Sequence, residues 1–303
     1  MTSTVSTQGR RTGDVMRVLV TGALGAIGRA TVAALVEAGH DVTATDRPGA
    51  RGSAPGARAL LWADLTDGGD AFAVVRGHDV VVHLAAIPTP TRHPAHTVFH
   101  NNLMAAFNVI EASVRWDVTR LVNISSESVL GWAFAERAVR PEYLPIDEDH
   151  PLRPQDPYAL AKSFAEQLCT AAVARSALRV LTLRPGWVLW PDTYHAELGR
   201  FRDDPALPLP ELSYIDGRDV AGAIVRAAVS DMPGHVICYV VAPDLPARDD
   251  LATEARLRFG EGMVLRPVGR ADASGTSPAR IRQVLGFVAQ HSWRDHLDVA
   301  NRD

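Results

Sequence analysis

"VMRVLVTGALGAIGRATVAALVEAGHDVTATD", residues 15–46, decides how the rest of the chain is read. Its first eight residues form an apolar, β-branched-rich run, as a strand buried on both faces requires. Beyond them Ile27, Ala30, Ala34, Leu35 and Ala38 recur at helical spacing until Gly39 stops the helix. A second strand over 41–46 follows at once. Strand, glycine turn, helix and strand make a right-handed crossover unit of a parallel sheet.

The turn carries Gly22, Gly25 and Gly28 in GxxGxxG spacing. A strand that feeds a helix through such a turn lets the backbone approach a pyrophosphate. The helix-start N–H groups, here those of Ala26, Ile27 and Gly28, then point at it. Gly22 is expected to adopt angles a larger residue resists, and Gly28 to let helix and strand pack closely. Asp46 ends the second strand about 20 residues on, where a carboxylate can accept both ribose hydroxyls and so favours NAD. Arg47 beside it suits a 2′-phosphate, which keeps NADP open. Asp64 and Leu65, closing a third strand, are placed to meet an adenine or simply to cap a loop.

The same alternation continues. Strands are expected over 57–65, 79–86, 120–126, 178–185 and 235–242. Helices are expected over 71–77, 95–116, from about Asp156 to Arg175, over 217–230 and over 277–286. The reading is an α/β Rossmann-type doubly wound parallel sheet over 15–185. Residues 186–303 form a small C-terminal substrate-binding cap, with 215–242 returning to the main sheet. Residues 1–14 read as a polar, disordered lead. The stretch 186–214, rich in Trp, Pro and charge, shows no period.

Composition bounds the function. A formal net charge of −4 provides no basic field for nucleic acid. No apolar run is long enough to span a bilayer. Cys169 and Cys238 lie far apart with no CxxC, which points to reduced thiols in a cytoplasmic protein. His93, His96 and His100 fall at i, i+3 and i+7, yet no carboxylate or cysteine joins them at ligand spacing, so no metal is expected.

"DPYALAK", 156–162, places Tyr158 and Lys162 four residues apart at a helix start, on one face. A tyrosine titrates near about 10 and is a poor base at neutral pH. A neighbouring ammonium is expected to pull that value down and make the phenol a usable acid/base.

TGxxGxxG, Asp46, "DL" at 64–65, "HLAA" at 83–86, "NN" at 101–102, "SS" at 125–126 and YxxxK at 158–162 occur in this order. Together they resemble the extended short-chain dehydrogenase/reductase family, the NAD-dependent epimerase/dehydratase group. The resemblance implies a catalytic set of Tyr158 as acid/base, Lys162 as its tuner and holder of the nicotinamide ribose, and Ser126 orienting the substrate oxygen. Ser125 is the neighbouring candidate. Further cofactor contacts implied are Leu84, Ala85, Ala86, Asn102 and Pro185. Helices 95–116 and 156–175 imply a homodimer.

The stretches "SSESVLGWA" and "RPQDPYALAKSFAEQL" are similar to uronate dehydrogenases, and Glu127 and Trp187 are candidates for substrate contact. Glu127-Ser128 stands where dehydratases of the family carry an Asp-Glu pair, and Ser128 where its decarboxylases carry Glu. Elimination and decarboxylation are therefore disfavoured. Trp187 replaces an asparagine of nucleotide-sugar epimerases and points to a smaller or less polar ligand. Arg200, Arg202, Arg266 and Arg270 keep a phosphate-bearing one open. Trp187, Trp190 and Tyr194 line the pocket or pack the cap. The expected activity is NAD(P)-dependent hydride transfer at a hydroxyl-bearing carbon of a sugar, sugar acid or sugar nucleotide. Alternatives are an epimerase with tightly bound NAD and a non-catalytic redox-sensing dinucleotide-binding protein.

Overall fold

Alternate residues of the first strand, β1 (Arg17–Thr21), enter different cores. Val18 and Val20 pack on one side of the sheet and Leu19 on the other, all three fully buried. A strand covered on both faces has no polar side to show, which is why its sequence reads as a continuous apolar run. The computed structural model describes residues 15–203, 212–247 and 249–297, apart from the side chains of Arg200, Arg202 and Asp203. The expected lead over 1–14 lies outside the described residues.

After β1 come α1 (Ala26–Glu37), β2 (Asp41–Asp46), β3 (Ala59–Trp62), α2 (Gly68–Val75), β4 (Val80–His83), α3 (Ala95–Arg115) and β5 (Arg120–Ile124). A single 3-10 turn (Glu127–Leu130) and an irregular stretch lead to α4 (Pro157–Arg175) and β6 (Arg179–Pro185). The chain ends with β7 (Trp187–Leu189), α5 (Tyr194–Asp203), β8 (Tyr214–Asp216), α6 (Gly217–Val229), β9 (His235–Val240), α7 (Leu251–Phe259), α8 (Ala279–Leu285) and α9 (Arg294–Leu297).

Seven strands form one parallel sheet in the order β3-β2-β1-β4-β5-β6-β9. This is the doubly wound α/β Rossmann-type fold. α1 and α6 cover one face through Val32, Leu35, Val220 and Ile224. α2, α3 and α4 cover the other through Val75, Val109, Ile110 and Cys169. The chain winds outward from β1 toward β3 and then, after returning to β4, toward β9. The strand order reverses between β1 and β4, and a crevice opens beyond the carboxyl ends of such strands.

Two smaller cores lie beside these, one around Leu144, Ile146 and Tyr239, the other around Tyr194, Tyr214 and Trp293. Here the structure departs from the sequence reading. The stretch 186–214 holds β7 and α5, and β7 pairs with β8 in a separate two-stranded sheet. Strands of three residues are too short to display a period. α7 and α9 were likewise not foreseen.

Candidate active site

Two helix starts face the crevice. At the first, Gly22 takes φ +64°, and a Cβ there would stand 2.7 Å from the Ala85 nitrogen. At Gly28 a Cβ would stand 2.1 Å from the Gly22 carbonyl oxygen. Only glycine permits both approaches. α1 begins behind Gly25, which offers no capping side chain. The first helical bond closes from Arg29 N–H to the Gly25 carbonyl at 2.9 Å. The N–H groups of Ala26, Ile27 and Gly28 precede it and line the crevice.

Asp46 reaches the same crevice from the end of β2. Its Oδ2 accepts the Leu24 N–H and its Oδ1 the Arg47 N–H, both at 2.8 Å, so the carboxylate is fixed in place. Asp64 accepts the Thr66 N–H at 3.0 Å and hydroxyl at 2.7 Å, and is both a loop cap and a lining residue.

The second start is closed. The Asp156 carboxylate accepts the N–H groups of Tyr158 (2.9 Å) and Ala159 (3.0 Å), and Pro157 occupies the first helical position. That cap sets the rotation of α4, and with it Tyr158 and Lys162, both buried and both lining the crevice. Lys162 Nζ donates to the Ile124 carbonyl at 2.6 Å and lies 5.8 Å from the Tyr158 ring centroid.

Ser126 caps the 3-10 turn. Its Oγ accepts the Ser128 N–H at 3.1 Å and lies 2.8 Å from the Ser128 hydroxyl. Ser125, one residue earlier, lines the crevice with a buried hydroxyl that has no partner.

Electrostatics correct one expectation. Burial pushes the Tyr158 phenol up to about 12, against the influence of the Ser126 hydroxyl, which favours phenolate. Burial also takes Lys162 down to about 8, with the Glu166 charge opposing it. The expected lowering of Tyr158 by Lys162 is not what this site does. Both groups have left water, and desolvation disfavours either charge. The resting tyrosine is a neutral phenol.

Beneath them His83 is held near 3, first by burial and then by the Lys162 charge. Thr21 Oγ1 accepts the Leu84 and Ala85 N–H groups at 3.2 Å each. Its proton is thus left for His83 Nδ1 at 2.9 Å, which makes His83 the Nε2–H tautomer.

One crevice of about 640 Å³ brings together Gly22, Gly25, Ala26, Ile27, Gly28, Asp46, Arg47, Asp64, Leu65, Leu84, Ala85, Ala86, Ser126, Tyr158, Lys162 and Pro185. Three expected site residues lie outside its lining. Asn102 turns inward, accepting the Ile87 N–H at 2.7 Å and donating to the Ile87 carbonyl at 2.9 Å. It braces the rim loop, while Asn101 faces the crevice. Glu127 is buried against the Ser213 hydroxyl. Trp187 packs edge-on against Phe201 at 6.5 Å.

Trp190, by contrast, is in the lining, and Tyr194 is buried in the core with Tyr214 and Trp293. Sequence reasoning missed Thr97 and Val188, and it offered Ser125 only as the neighbour of Ser126. The adjacent "NN" and "SS" pairs were visible, and only the rotation of each element selects a member.

Arg266 is paired with Asp147 at 2.5 Å and lies over the Tyr143 ring, and Arg270 is paired with Asp272 at 2.5 Å. Neither lines the crevice. Arg200 and Arg202 have side chains outside the described set. Among the described residues no group of three or more His, Cys, Asp or Glu could hold a metal ion. Nor is any helix long and apolar enough to cross a membrane.

The donor set fits a dinucleotide. The helix start without a capping side chain suits a pyrophosphate, the fixed carboxylate of Asp46 suits ribose hydroxyls, and the lining also holds the orphan Ser125 hydroxyl and Lys162.

A model of the NAD dependent epimerase/dehydratase family matches residues 18–201. The chain is 37% identical over 181 residues to an L-arabinose 1-dehydrogenase (NAD(P)(+)) of Haloferax volcanii, covering 58% of this chain and 68% of that one. It is 32% identical to a 3-diazoavenalumate denitrifying reductase of a Streptomyces species, over 93% and 99% of the two chains. A short-chain dehydrogenase/reductase superfamily protein of Agrobacterium tumefaciens, solved with bound NAD, superposes with TM-score 0.69 at 25% identity, over 94% and 95%. Curated UDP-glucose 4-epimerases also match, the chain spanning about half their length.

Proposed function

This chain belongs to the NAD dependent epimerase/dehydratase family, and on that premise we propose that it transfers hydride at a hydroxyl-bearing carbon of a small sugar or sugar acid. One observation carries the reading. Tyr158, Lys162 and Ser126 reach the same crevice as the open end of α1 and the Asp46 carboxylate.

NAD, when bound, supplies the hydride acceptor or donor. The N–H groups of Ala26, Ile27 and Gly28 hold its pyrophosphate and Asp46 the adenosine ribose, with Asp64 and Leu65 beside the adenine. Leu84, Ala85, Ala86 and Pro185 form the walls, and Lys162 holds the second ribose.

Ser126 orients the substrate oxygen. In reduction Tyr158 donates its proton to that oxygen, a role a phenol with a raised pKa performs at neutral pH. In oxidation it must accept a proton as phenolate, which is scarce until the pH rises. Oxidation is therefore expected to accelerate by about tenfold per pH unit on the alkaline side, until another group limits it.

Two observations favour a free sugar over a sugar nucleotide. Arg266 and Arg270 are committed to carboxylates, and among the described lining residues the arginine is Arg47, beside Asp46 at the adenosine end. The enzyme is proposed to be a soluble cytoplasmic homodimer. Phe107 on α3 and Phe164 on α4 are each 40% exposed, with Phe99 edge-on to Phe164 at 6.0 Å. Light scattering of the purified protein tests that state.

The activity is tested with a panel of free sugars, sugar acids and nucleotide sugars, offered with NAD and NADP and followed by reduced-nicotinamide absorbance. Turnover of a free sugar or sugar acid with NAD is expected. Silence across the panel, with stoichiometric nucleotide released by acid, replaces this reading with the epimerase. A Tyr158→Phe variant that matched the wild type in turnover would restore the redox-sensing one.

A further inference from the structure

β7 is short, yet its period of two sorts the side chains of an aromatic stretch. Trp187 and Leu189 face the core around Tyr194, where Trp187 reaches Phe201. Val188 and, one step past the strand, Trp190 take the opposite side and line the crevice. The Trp190 backbone is fixed where the chain turns into α5. Its N–H donates to Thr193 Oγ1 at 2.9 Å, and its carbonyl accepts the Thr193 and Tyr194 N–H groups at 2.8 and 3.2 Å.

Leu189 lies opposite Asp216 in the β7–β8 pair, and the next step of that register sets Trp190 beside Gly217, the first residue of α6. A Cβ at 217 would stand 2.3, 2.4 and 2.5 Å from three atoms of the Trp190 six-membered ring. The indole therefore lies against a bare α-carbon, and only glycine leaves it that place.

The crevice takes side chains from both faces of the sheet. Ile27 and Val188 pack on the core that α1 and α6 cover, and Trp190, seated on the head of α6, stands on their side. Tyr158 and Lys162 come from α4, which covers the other face. Along the strand order Asp46 closes β2 toward one edge, while Pro185 closes β6 toward the other and leads through β7 to Trp190. Trp190 thus stands at the nicotinamide end of a dinucleotide anchored at Asp46 and the head of α1, on the side away from Tyr158.

We propose that Trp190 is a cofactor-binding residue: its indole, seated on Gly217, backs the nicotinamide on the face not offered to the substrate. Ile27 and Val188 complete that wall with apolar surface, and Gly217 is what admits the indole to it. The proposal rests on the dinucleotide site described above, and its test needs no sugar substrate.

Binding to the full-length protein is measured by isothermal titration calorimetry with NAD and with ADP-ribose, which keeps the adenosine and pyrophosphate but has no nicotinamide. Trp190→Ala should weaken NAD by about tenfold, the worth of one good aromatic contact, and leave ADP-ribose near the wild-type affinity. Gly217→Ala should give the same selective loss, because its methyl displaces the indole. Added to Trp190→Ala it should cost nothing further, since the two residues act as one unit. Circular dichroism checks the fold of each variant, and Trp190→Ala, which removes atoms and adds none, decides alone if Gly217→Ala does not fold. Equal losses for both ligands, or no loss for either, overturn the proposal and leave the hydride-transfer reading in place. So does a raised KM for the sugar with both affinities unchanged. A loss confined to NAD beside a silent substrate panel sinks that reading and leaves this proposal standing.

Discussion

The heads of α1 and α4 face one crevice and are finished in opposite ways. α1 starts on a glycine with no capping side chain, so three N–H groups are available to a ligand's negative charge. α4 starts on Asp156 and Pro157, whose carboxylate and ring complete the helix from within. The open end is built to receive an anion, and the closed end to hold Tyr158 and Lys162 at a fixed rotation. A helix terminus is thus a binding site or a bracket, according to whether the chain caps it.

Four experiments break or sharpen that contrast, from the largest effect to the smallest. At the closed end, Tyr158→Phe removes the proton donor and nothing of the frame. Turnover should fall by about 10²–10⁴-fold while NAD affinity, read by quenching of tryptophan fluorescence, stays near the wild type. Equal losses of both would mean that the phenol serves the fold and not the chemistry.

At the open end, Gly25→Asp installs the kind of cap that α4 has. The backbone there (φ −67°) accepts a side chain, and a Cβ would approach the Gly22 carbonyl oxygen to 3.3 Å, a tight but tolerable contact. Thermal stability should change by no more than about 1 kcal/mol, while NAD binding weakens by roughly 10²-fold, because the carboxylate occupies and repels the pyrophosphate site. Unchanged binding would show that the pyrophosphate lies elsewhere.

His83 joins the two ends, bonded to Thr21 before the glycine turn and facing the Lys162 charge. Its folded value of about 3 lies below the value near about 6.5 of an unfolded chain. Between those pH values the unfolded chain binds a proton that the native one refuses. The stabilisation is therefore complete above the upper value and is lost as pH falls toward the lower. The loss should be about 1.4 kcal/mol per pH unit, measured by denaturant titration at successive pH values. His83→Gln should flatten that slope; an identical slope refutes the assignment.

The smallest effect belongs to the bracket itself. Asp156→Ala should cost about 1 kcal/mol, seen as a drop of a few degrees in Tm, with kcat more affected than NAD affinity. A larger loss of affinity than of kcat would reverse the roles given to the two helix starts.

Much of this was legible in residues 15–46 and 156–162, because periodicity, glycine spacing and capping are properties of adjacent residues. An apolar run, a stop at Gly39 and an Asp-Pro before a helix keep their meaning wherever the chain folds. The doubly wound order of elements and the two helix heads could therefore be read directly. Residues 186–214 could not, since β7 and β8 are each three residues long and exist only by pairing with each other.

Tertiary structure alone decided the rest. It turned Asn102 onto the Ile87 backbone and Asn101 toward the crevice, set Trp187 against Phe201, and left Ser125 rather than Ser126 without a partner. It also made the Tyr158–Lys162 pair a phenol and a weakened ammonium instead of a mutually activated couple. Each outcome depends on how an element is rotated against neighbours distant in the chain and on how much water their packing expels. Spacing along a sequence says which side chains can meet; the dielectric in which they meet is a property of the assembled core.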